Sequence, residues 1–328
     1  MSVDSSQVVF VTGGSGYVGR NILRGLIDAG HRVRALARSD ASADVVAKLG
    51  AEPILGDLAN IEALRTGMSG ASWLIHAAAD TDHGMATSTQ EKANLDGTRN
   101  VYAAAKQAGV QRALHLSSEA VLLSGEPLKN ADETTPMPDQ PAGGYSKTKA
   151  ESERIALAHG GDGLDVIVLR PRFVWGRDDT TALPQLIDAA RTGKLSWIGG
   201  GHYRMSTTHI ANAVHGVMLA LERGRAGEVY FVSDGEPVEF RGFITKLLAT
   251  RGVEAPSREI PRWLVAAVIR IGDALARLTG GALHGPMSWQ EYAVLGVEVT
   301  LDIGKAQNEL GYSPVISREE GLAELRGD

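Results

Sequence analysis

The chain of 328 residues has no cysteine, which excludes disulfides, thiolate catalysis and cysteine-ligated zinc. Nor has it an excess of positive charge: 33 Lys and Arg against 39 Asp and Glu give a net charge of −6 and a pI near 5.9. With no long basic run, nucleic acid is not an expected partner. Nine histidines are scattered without HExxH or other ligand spacing. His209 and His215 do not share a helical face, so they read as packing or surface residues and no metal is expected. The most apolar stretch, 261–278, is interrupted by Arg262, Arg270, Asp273 and Arg277. It is too short and too charged for a membrane span. It reads as a helix packed in the second half of the chain with a solvated polar face. A lid over a hydrophobic substrate, or an interfacial helix approaching lipid, is the sharper alternative. Asp4 and an early first strand leave no room for a signal peptide, so a cytoplasmic protein is expected.

Hydrophobic content of 43% with 22% charged residues is ordinary for a globular chain. Val8-Val-Phe-Val11 has the continuous apolar character of a strand buried in a parallel sheet. Thr12-Gly-Gly-Ser-Gly-Tyr-Val-Gly19 follows at once, and Gly14, Gly16 and Gly19 fit G-x-G-x-x-G. Gly13, Gly16 and Gly19 fit the G-x-x-G-x-x-G variant. Such glycines permit a tight turn and let the backbone approach a pyrophosphate at a helix N-terminus, where free N–H groups and the dipole favour an anion. Val18, Ile22, Leu23, Leu26 and Ile27 then repeat at helical spacing, Gly30 stops the helix, and 33–36 reads as the second strand. The end of that strand selects the cofactor: an acid binds the ribose hydroxyl of NAD, an arginine the 2′-phosphate of NADP. Arg38 occupies this position, with Arg34 or Lys48 as possible helpers, and favours NADP(H) over NAD(H). The competing reading makes Arg38 a solvated cation and Asp40 an NAD contact.

Apolar runs at 33–37, 52–55, 73–77, 113–116 and 166–169 alternate with helical stretches such as 41–49 and 89–107. The sequence therefore predicts an α/β fold, a Rossmann-type doubly wound parallel sheet. Strand signals thin after about Arg172. Residues 1–172 are expected to form the dinucleotide-binding domain and 173–328 a smaller, interleaved substrate-binding region. Val229–Val232 looks like a strand returning to the main sheet, with a helix at 240–251 behind it.

Tyr145-Ser-Lys-Thr-Lys149 places a phenol and an amine about one helical turn apart. A tyrosine with a pKa of about 10 is a poor base at neutral pH, and a lysine cation beside it favours the phenolate. The bland reading is an exposed helix start with solvated lysines.

In combination these motifs resemble the extended short-chain dehydrogenase/reductases of the NAD-dependent epimerase/dehydratase superfamily. Within that group the chain is similar to the 3β-hydroxysteroid dehydrogenase and dihydroflavonol reductase-like branch. The resemblance covers nearly the whole chain: the glycine loop, Gly56-Asp-Leu58, His76-Ala-Ala-Ala79, Asn94-Leu-Asp-Gly-Thr98 and Leu116-Ser-Ser-Glu-Ala-Val121. It continues through Tyr145 and Lys149, Leu169-Arg-Pro-Arg-Phe-Val-Trp-Gly176, His209-Ile-Ala-Asn212 and Leu310-Gly-Tyr-Ser-Pro314. The resemblance implies Tyr145 as general acid/base, Lys149 lowering its pKa and holding the nicotinamide ribose, and Ser118 orienting the substrate oxygen. It implies Asn94 as holder of a relay for the lysine. The implied cofactor contacts are Gly13, Gly16, Tyr17, Val18, Arg38, Asp57, Leu58, Ala77, Ala78, Ala79, Asn94, Ser117, Tyr145, Lys149, Pro171 and Val174. Arg170 and Arg172, flanking Pro171, read as surface or salt-bridge groups with no catalytic role. The implied activity is NADP(H)-dependent interconversion of a ketone and a secondary alcohol on a largely apolar small molecule of steroid, flavonoid or β-keto type. A nucleotide-sugar epimerase or dehydratase retaining NAD is the alternative, and a non-catalytic dinucleotide sensor the third reading. A homodimer is common among such proteins.

Overall fold

The computed structural model describes residues 6–81, 88–279 and 285–327, so the terminal segment carrying Asp4 lies outside the described residues. Seven strands make one sheet: β1 (Val8–Thr12), β2 (Arg32–Ala37), β3 (Glu52–Leu55), β4 (Trp73–His76), β5 (Arg112–Leu116), β6 (Asp165–Pro171) and β7 (Val229–Val232). Their order is β7-β6-β5-β4-β1-β2-β3, and every neighbouring pair is parallel. The order reverses between β1 and β4, and the crevice at the strand C-termini there is where a doubly wound sheet accepts a ligand.

Burial on both faces explains why the strands read as runs instead of alternations. Val9 and Val11 of β1 join one core cluster, with Ile22, Leu23 and Leu26 of α1 (Tyr17–Asp28). Phe10, pointing the other way, joins a second, with Leu64 and Met68 of α3 (Ile61–Met68) and Val101 and Tyr102 of α4 (Gly97–Ala108). Between these helices in sequence, α2 (Asp40–Lys48) follows β2 and is capped by Ser39, whose side chain accepts from the Ser42 amide. The helix carrying Tyr145 is α5 (Gly144–Ala158), and α6 (Ile210–Arg223) covers the same sheet face as α1. The expected return of 229–232 to the main sheet is observed, paired parallel with β6.

The stretch 89–107 is not one helix. Ser88–Glu91 is α-helical, Lys92–Asp96 is a π turn, and α4 begins only at Gly97. The wider turn carries Asn94 into the interior, where its side chain accepts from Asp80 N at 2.7 Å and donates to Asp80 O at 3.0 Å and Thr148 Oγ1 at 3.1 Å. Single π turns of this kind mark functional sites.

A smaller sheet of four short strands runs Val238–Glu239, Arg204–Met205, Val299–Leu301, Leu128–Ala131. Trp175, Trp197, Tyr203, Phe240 and Phe243 form a third core beside it. The apolar stretch near the end of the chain is α7 (Arg262–Leu278). Among the described residues no helix is long and apolar enough to cross a membrane.

Candidate active site

The turn between β1 and α1 is built for close approach. Gly13 has φ +77°, and a Cβ on it would lie 2.6 Å from Ala78 N and 2.7 Å from Ala77 C, so only glycine lets the turn lie against the end of β4. A Cβ on Gly19 would lie 2.0 Å from Gly13 O. Gly16 is exposed and stands at the N-cap of α1, which has no side-chain cap. The first N–H groups of this helix therefore face the crevice unpaired by side chains, the arrangement that takes a phosphate. Val18, Ala77, Ala78, Ala79 and Val174 are each half-buried along the same C-terminal edge, and Pro171 is buried at the end of β6. The donor set and the open edge fit a dinucleotide.

Tyr17, an expected cofactor contact, turns its ring inward. The ring is buried and its hydroxyl has no hydrogen-bond partner among the described residues, while burial and the neighbouring Asp179 and Asp178 push its pKa up. Only its backbone is left for a dinucleotide. Asp57 caps its own turn, accepting at Oδ1 from Ala59 N at 2.9 Å and Asn60 N at 3.0 Å, and it is exposed. Leu58 packs over the start of α4, against Gly97.

At the end of β2, Arg38 is exposed and makes no hydrogen bond or ion pair among the described residues. Arg34 is not its helper. It bonds Glu52 Oε2 at 3.2 Å, across the β2–β3 pair, and donates to the carbonyls of Gly67 and Ser69. Asp40 is the first residue of α2, where an acid complements the helix dipole.

Two consecutive serines end β5, and each donates to a different buried glutamate. Ser117 Oγ lies 2.6 Å from Glu153 Oε2, and Ser118 Oγ lies 2.6 Å from Glu119 Oε2. Each glutamate is held by an arginine of the β6 end: Arg170 Nε to Glu153 Oε2 at 3.0 Å, and Arg172 Nη1 to Glu119 Oε1 at 2.7 Å. All four charged side chains are buried, which settles Arg170 and Arg172 as internal ion pairs and overturns the surface alternative. Ser117, expected to touch the cofactor, spends its hydroxyl on Glu153.

Tyr145 sits in the first turn of α5, whose N-cap Gly143 supplies no side-chain bond. The turn is fixed from outside: Gln290 Oε1 accepts from Ser146 N at 3.1 Å, and Thr148, clamped by Asn94, donates to Tyr145 O at 3.2 Å. Asn94 therefore positions the turn that carries the phenol. Burial and the Glu119 carboxylate push the Tyr145 pKa up, and a hydrogen bond with Ser118 lowers it only in part. The expected depression by Lys149 is absent from this balance. Lys149 Nζ donates instead to Leu116 O at 2.7 Å, and burial lowers its own pKa to about 8 against the pull of Glu153.

That shift has a measurable consequence. The folded chain holds the Lys149 proton less tightly than the unfolded chain, whose lysines titrate near 10.5. Between about pH 8 and 10.5 the unfolded state binds more protons, so this residue makes stability rise with pH there. In denaturant melts of the cofactor-free protein, wild type should gain on Lys149→Met across that window; parallel curves would show that the ammonium is not buried at a cost.

Beneath the crevice, His76 Nδ1 lies 2.7 Å from Thr12 Oγ1 and Nε2 lies 3.0 Å from Thr98 Oγ1. Complete burial holds its pKa down to about 3, so it is a neutral strut between β1, β4 and α4.

The functional residues that sequence reasoning missed are Glu119, Glu153, Thr148 and Gln290. Glu119 carried a signal, an acid inside the apolar run Leu116-Ser-Ser-Glu-Ala-Val121. Gln290 carried none, being 144 positions from the amide it caps.

Comparison with known proteins agrees with this geometry. The family model described as the 3-beta hydroxysteroid dehydrogenase/isomerase family matches residues 10–262. A ketoreductase of Stigmatella aurantiaca, named for 4-hydroxy-2-methyl-3-oxo-4-farnesyl-3,4-dihydroquinoline-1-oxide, is 47% identical over 317 residues, covering 97% of this chain and 95% of that protein. A 3-beta-hydroxysteroid dehydrogenase of Mycolicibacterium neoaurum is 31% identical over 330 residues, covering 96% and 89%. Among solved structures, a double mutant of the dTDP-glucose 4,6-dehydratase DesIV from Streptomyces venezuelae, with NAD bound, superposes with a TM-score of 0.74 over 97% of this chain and 95% of that one. At 24% identity that likeness shows the fold alone. With the extent of the family match, the identity to relatives spanning nearly its full length and the dinucleotide crevice of a doubly wound sheet, the chain belongs to the 3-beta hydroxysteroid dehydrogenase/isomerase family.

Proposed function

We propose that the protein is an NADP(H)-dependent oxidoreductase that interconverts a ketone and a secondary alcohol on a largely apolar substrate. The observation that carries the reading is Ser118 and Tyr145, hydrogen-bonded to each other, at the end of β5 beside the glycine-loop crevice. Residues 1–172 supply the dinucleotide site and 173–328 mainly shape the substrate side. The bound dinucleotide supplies the hydride in reduction or accepts it in oxidation. Tyr145 gives its proton to the alkoxide that develops on the substrate oxygen, or takes it in the reverse direction. Ser118 orients that oxygen, and Lys149 carries a positive charge on the same helix below about pH 8. The apolar substrate class follows from the relatives, one named for a farnesylated dihydroquinoline oxide and another for a hydroxysteroid, and from the apolar cluster of Ala120, Leu123, Ala142, Ile269 and Tyr292 that packs against Tyr145.

The preference for NADP(H) rests on Arg38, an exposed guanidinium with no ion pair among the described residues, where an acid would serve NAD. Arg38→Asp should weaken NADPH binding more than NADH binding, by about 1–3 kcal/mol for a lost charge-assisted bond. Equal losses for the two cofactors would overturn the preference. The activity itself is tested by following NADPH absorbance with a panel of prenylated quinolones, steroids and β-keto compounds. Net NADPH consumption with an apolar ketone is expected. Sugar-nucleotide interconversion without net cofactor turnover would replace this reading with an epimerase or dehydratase, and tight cofactor binding with no turnover would replace it with a sensor.

A further inference from the structure

A guanidinium stands at the glycine loop with no anion to match it. Arg20 ends the first turn of α1, and its side chain leans back toward the helix N-terminus, the direction in which helical side chains tilt. There Nη1 donates to Ser15 O at 3.4 Å and Nη2 to Asp178 O at 3.1 Å. Both acceptors are neutral carbonyls, and the first bond is longer than a well-formed one. The two carboxylates of the adjoining loop are committed elsewhere. Asp178 Oδ2 is paired with Arg24. Asp179 caps the helix Ala182–Arg191, accepting from the amides of Thr181 at 2.7 Å, Ala182 at 3.1 Å and Leu183 at 3.0 Å. Arg20 therefore makes no ion pair among the described residues, and most of its five N–H donors remain unused.

We propose that Arg20 is a cofactor residue, the cation that meets the pyrophosphate of the bound dinucleotide. The assignment rests on the dinucleotide-dependent reading given above and adds a residue to it. Covalent geometry puts Ser15 O within about 5 Å of the Tyr17 N–H, one of the free donors at the start of α1. A guanidinium on Ser15 O is thus within about 8 Å of the place where phosphates dock, inside the Debye length of about 10 Å at 0.1 M salt.

Charge balance points the same way. A pyrophosphate joining two nucleosides carries two negative charges, whereas a helix N-terminus offers the equivalent of about half a positive one. The crevice edge formed by Val18, Ala77, Ala78, Ala79, Pro171 and Val174 carries no charge at all. Arg38 stands beyond the end of β2, and Lys149 is turned to Leu116 O. Arg20 is the cation bonded to the glycine loop itself. Moving Nη1 from Ser15 O to a phosphate oxygen exchanges a weak neutral acceptor for a charged one, to which the planar fork of arginine is suited. Nη2 can keep its bond to Asp178 meanwhile, so that phosphate, α1 and the 176–179 loop share one guanidinium.

Calorimetric titrations of the whole protein with NADPH, NADH and ADP-ribose, which have only the pyrophosphate-linked adenosine and ribose in common, test the assignment. Arg20→Gln keeps an amide donor for the carbonyls and removes the charge. It should weaken all three ligands by a common factor of about ten or more. Arg20→Lys should restore most of that loss, and the gap between wild type and Arg20→Gln should narrow as salt is raised. Arg24→Gln is the structural control: it removes the ion pair to Asp178 but takes no donor from the glycine loop, so all three affinities should stay near wild type. Unchanged affinities in Arg20→Gln would overturn the assignment. So would an equal loss in Arg24→Gln, by showing that the effect runs through the 176–179 loop. A loss confined to NADPH would overturn it in favour of the 2′-phosphate. Wild type binding none of the three would sink the dinucleotide reading itself, a different failure from a variant that binds like wild type.

Discussion

Tyr145→Phe should lower the rate of ketone reduction by about two to four orders of magnitude, with the affinity for NADPH nearly unchanged. Only the ionisable oxygen is removed, and the ring keeps its place against Ala142, Tyr292 and their neighbours. Ser118 cannot replace the lost acid, because a serine hydroxyl 2.6 Å from the Glu119 carboxylate does not ionise at neutral pH. Lys149 cannot replace it either, since its ammonium is turned to Leu116 O. The pH dependence follows from the same surroundings. Burial and Glu119 keep Tyr145 a phenol above its usual range, so across neutral pH it is always protonated and suited to giving a proton. Reduction should therefore stay level through neutrality and decline only on the alkaline side, where Lys149 loses its charge near pH 8. Alcohol oxidation needs the phenolate and should rise toward alkaline pH. Single-turnover reduction, paired with a fluorescence titration of NADPH, separates the two effects. A phenylalanine variant within a few-fold of wild type would mean that the proton comes from another group.

The parts of this molecule legible in the sequence are those with local physical causes. Strands β1 to β6, apart from the exposed edge strand β3, could be read because burial on both faces writes an apolar run, and β7 because Val229-Tyr-Phe-Val232 has the same character. The glycine loop could be read because its glycines are required by close backbone approach. What could not be read depends on partners distant in the chain. The π turn at Lys92–Asp96 exists because Asn94 reaches Asp80 and Thr148, while helical periodicity runs through the segment uninterrupted. Arg34 looked free to help Arg38 until the parallel neighbour β3 set Glu52 beside it. The spacing of Tyr145 and Lys149 was read correctly as one face of one helix, yet spacing says nothing of where the ammonium points. For α7 the composition gave amphipathicity, and only the packing of Ile269 and Ala276 shows that a second apolar arc is left uncovered.

The largest effect on stability should come from a residue with no expected role. Glu119→Gln should cost about 3–5 kcal/mol of unfolding free energy, the range found when one member of a buried ion pair is removed. Arg172 is 1% exposed, and among the described residues its guanidinium meets, besides Glu119, only the carbonyl oxygens of Val299, at 3.1 Å, and Val294, at 3.2 Å. Neither carbonyl neutralises a charge. Adding Arg172→Met to Glu119→Gln should recover part of the loss, because both desolvated charges are then gone. Recovery stays incomplete, since the two carbonyls lose their donor. Urea melts of the two single variants and the double variant measure this coupling. The same substitution also reaches the chemistry. Glu119 raises the Tyr145 pKa, so its neutralisation lets the phenol ionise more easily, and the alkaline rise of alcohol oxidation should move to lower pH. A purely structural glutamate would lower the melting point and leave that limb where it was. The joint shift would identify Glu119 as the charge that keeps the Tyr145 phenol protonated while anchoring the serine beside it.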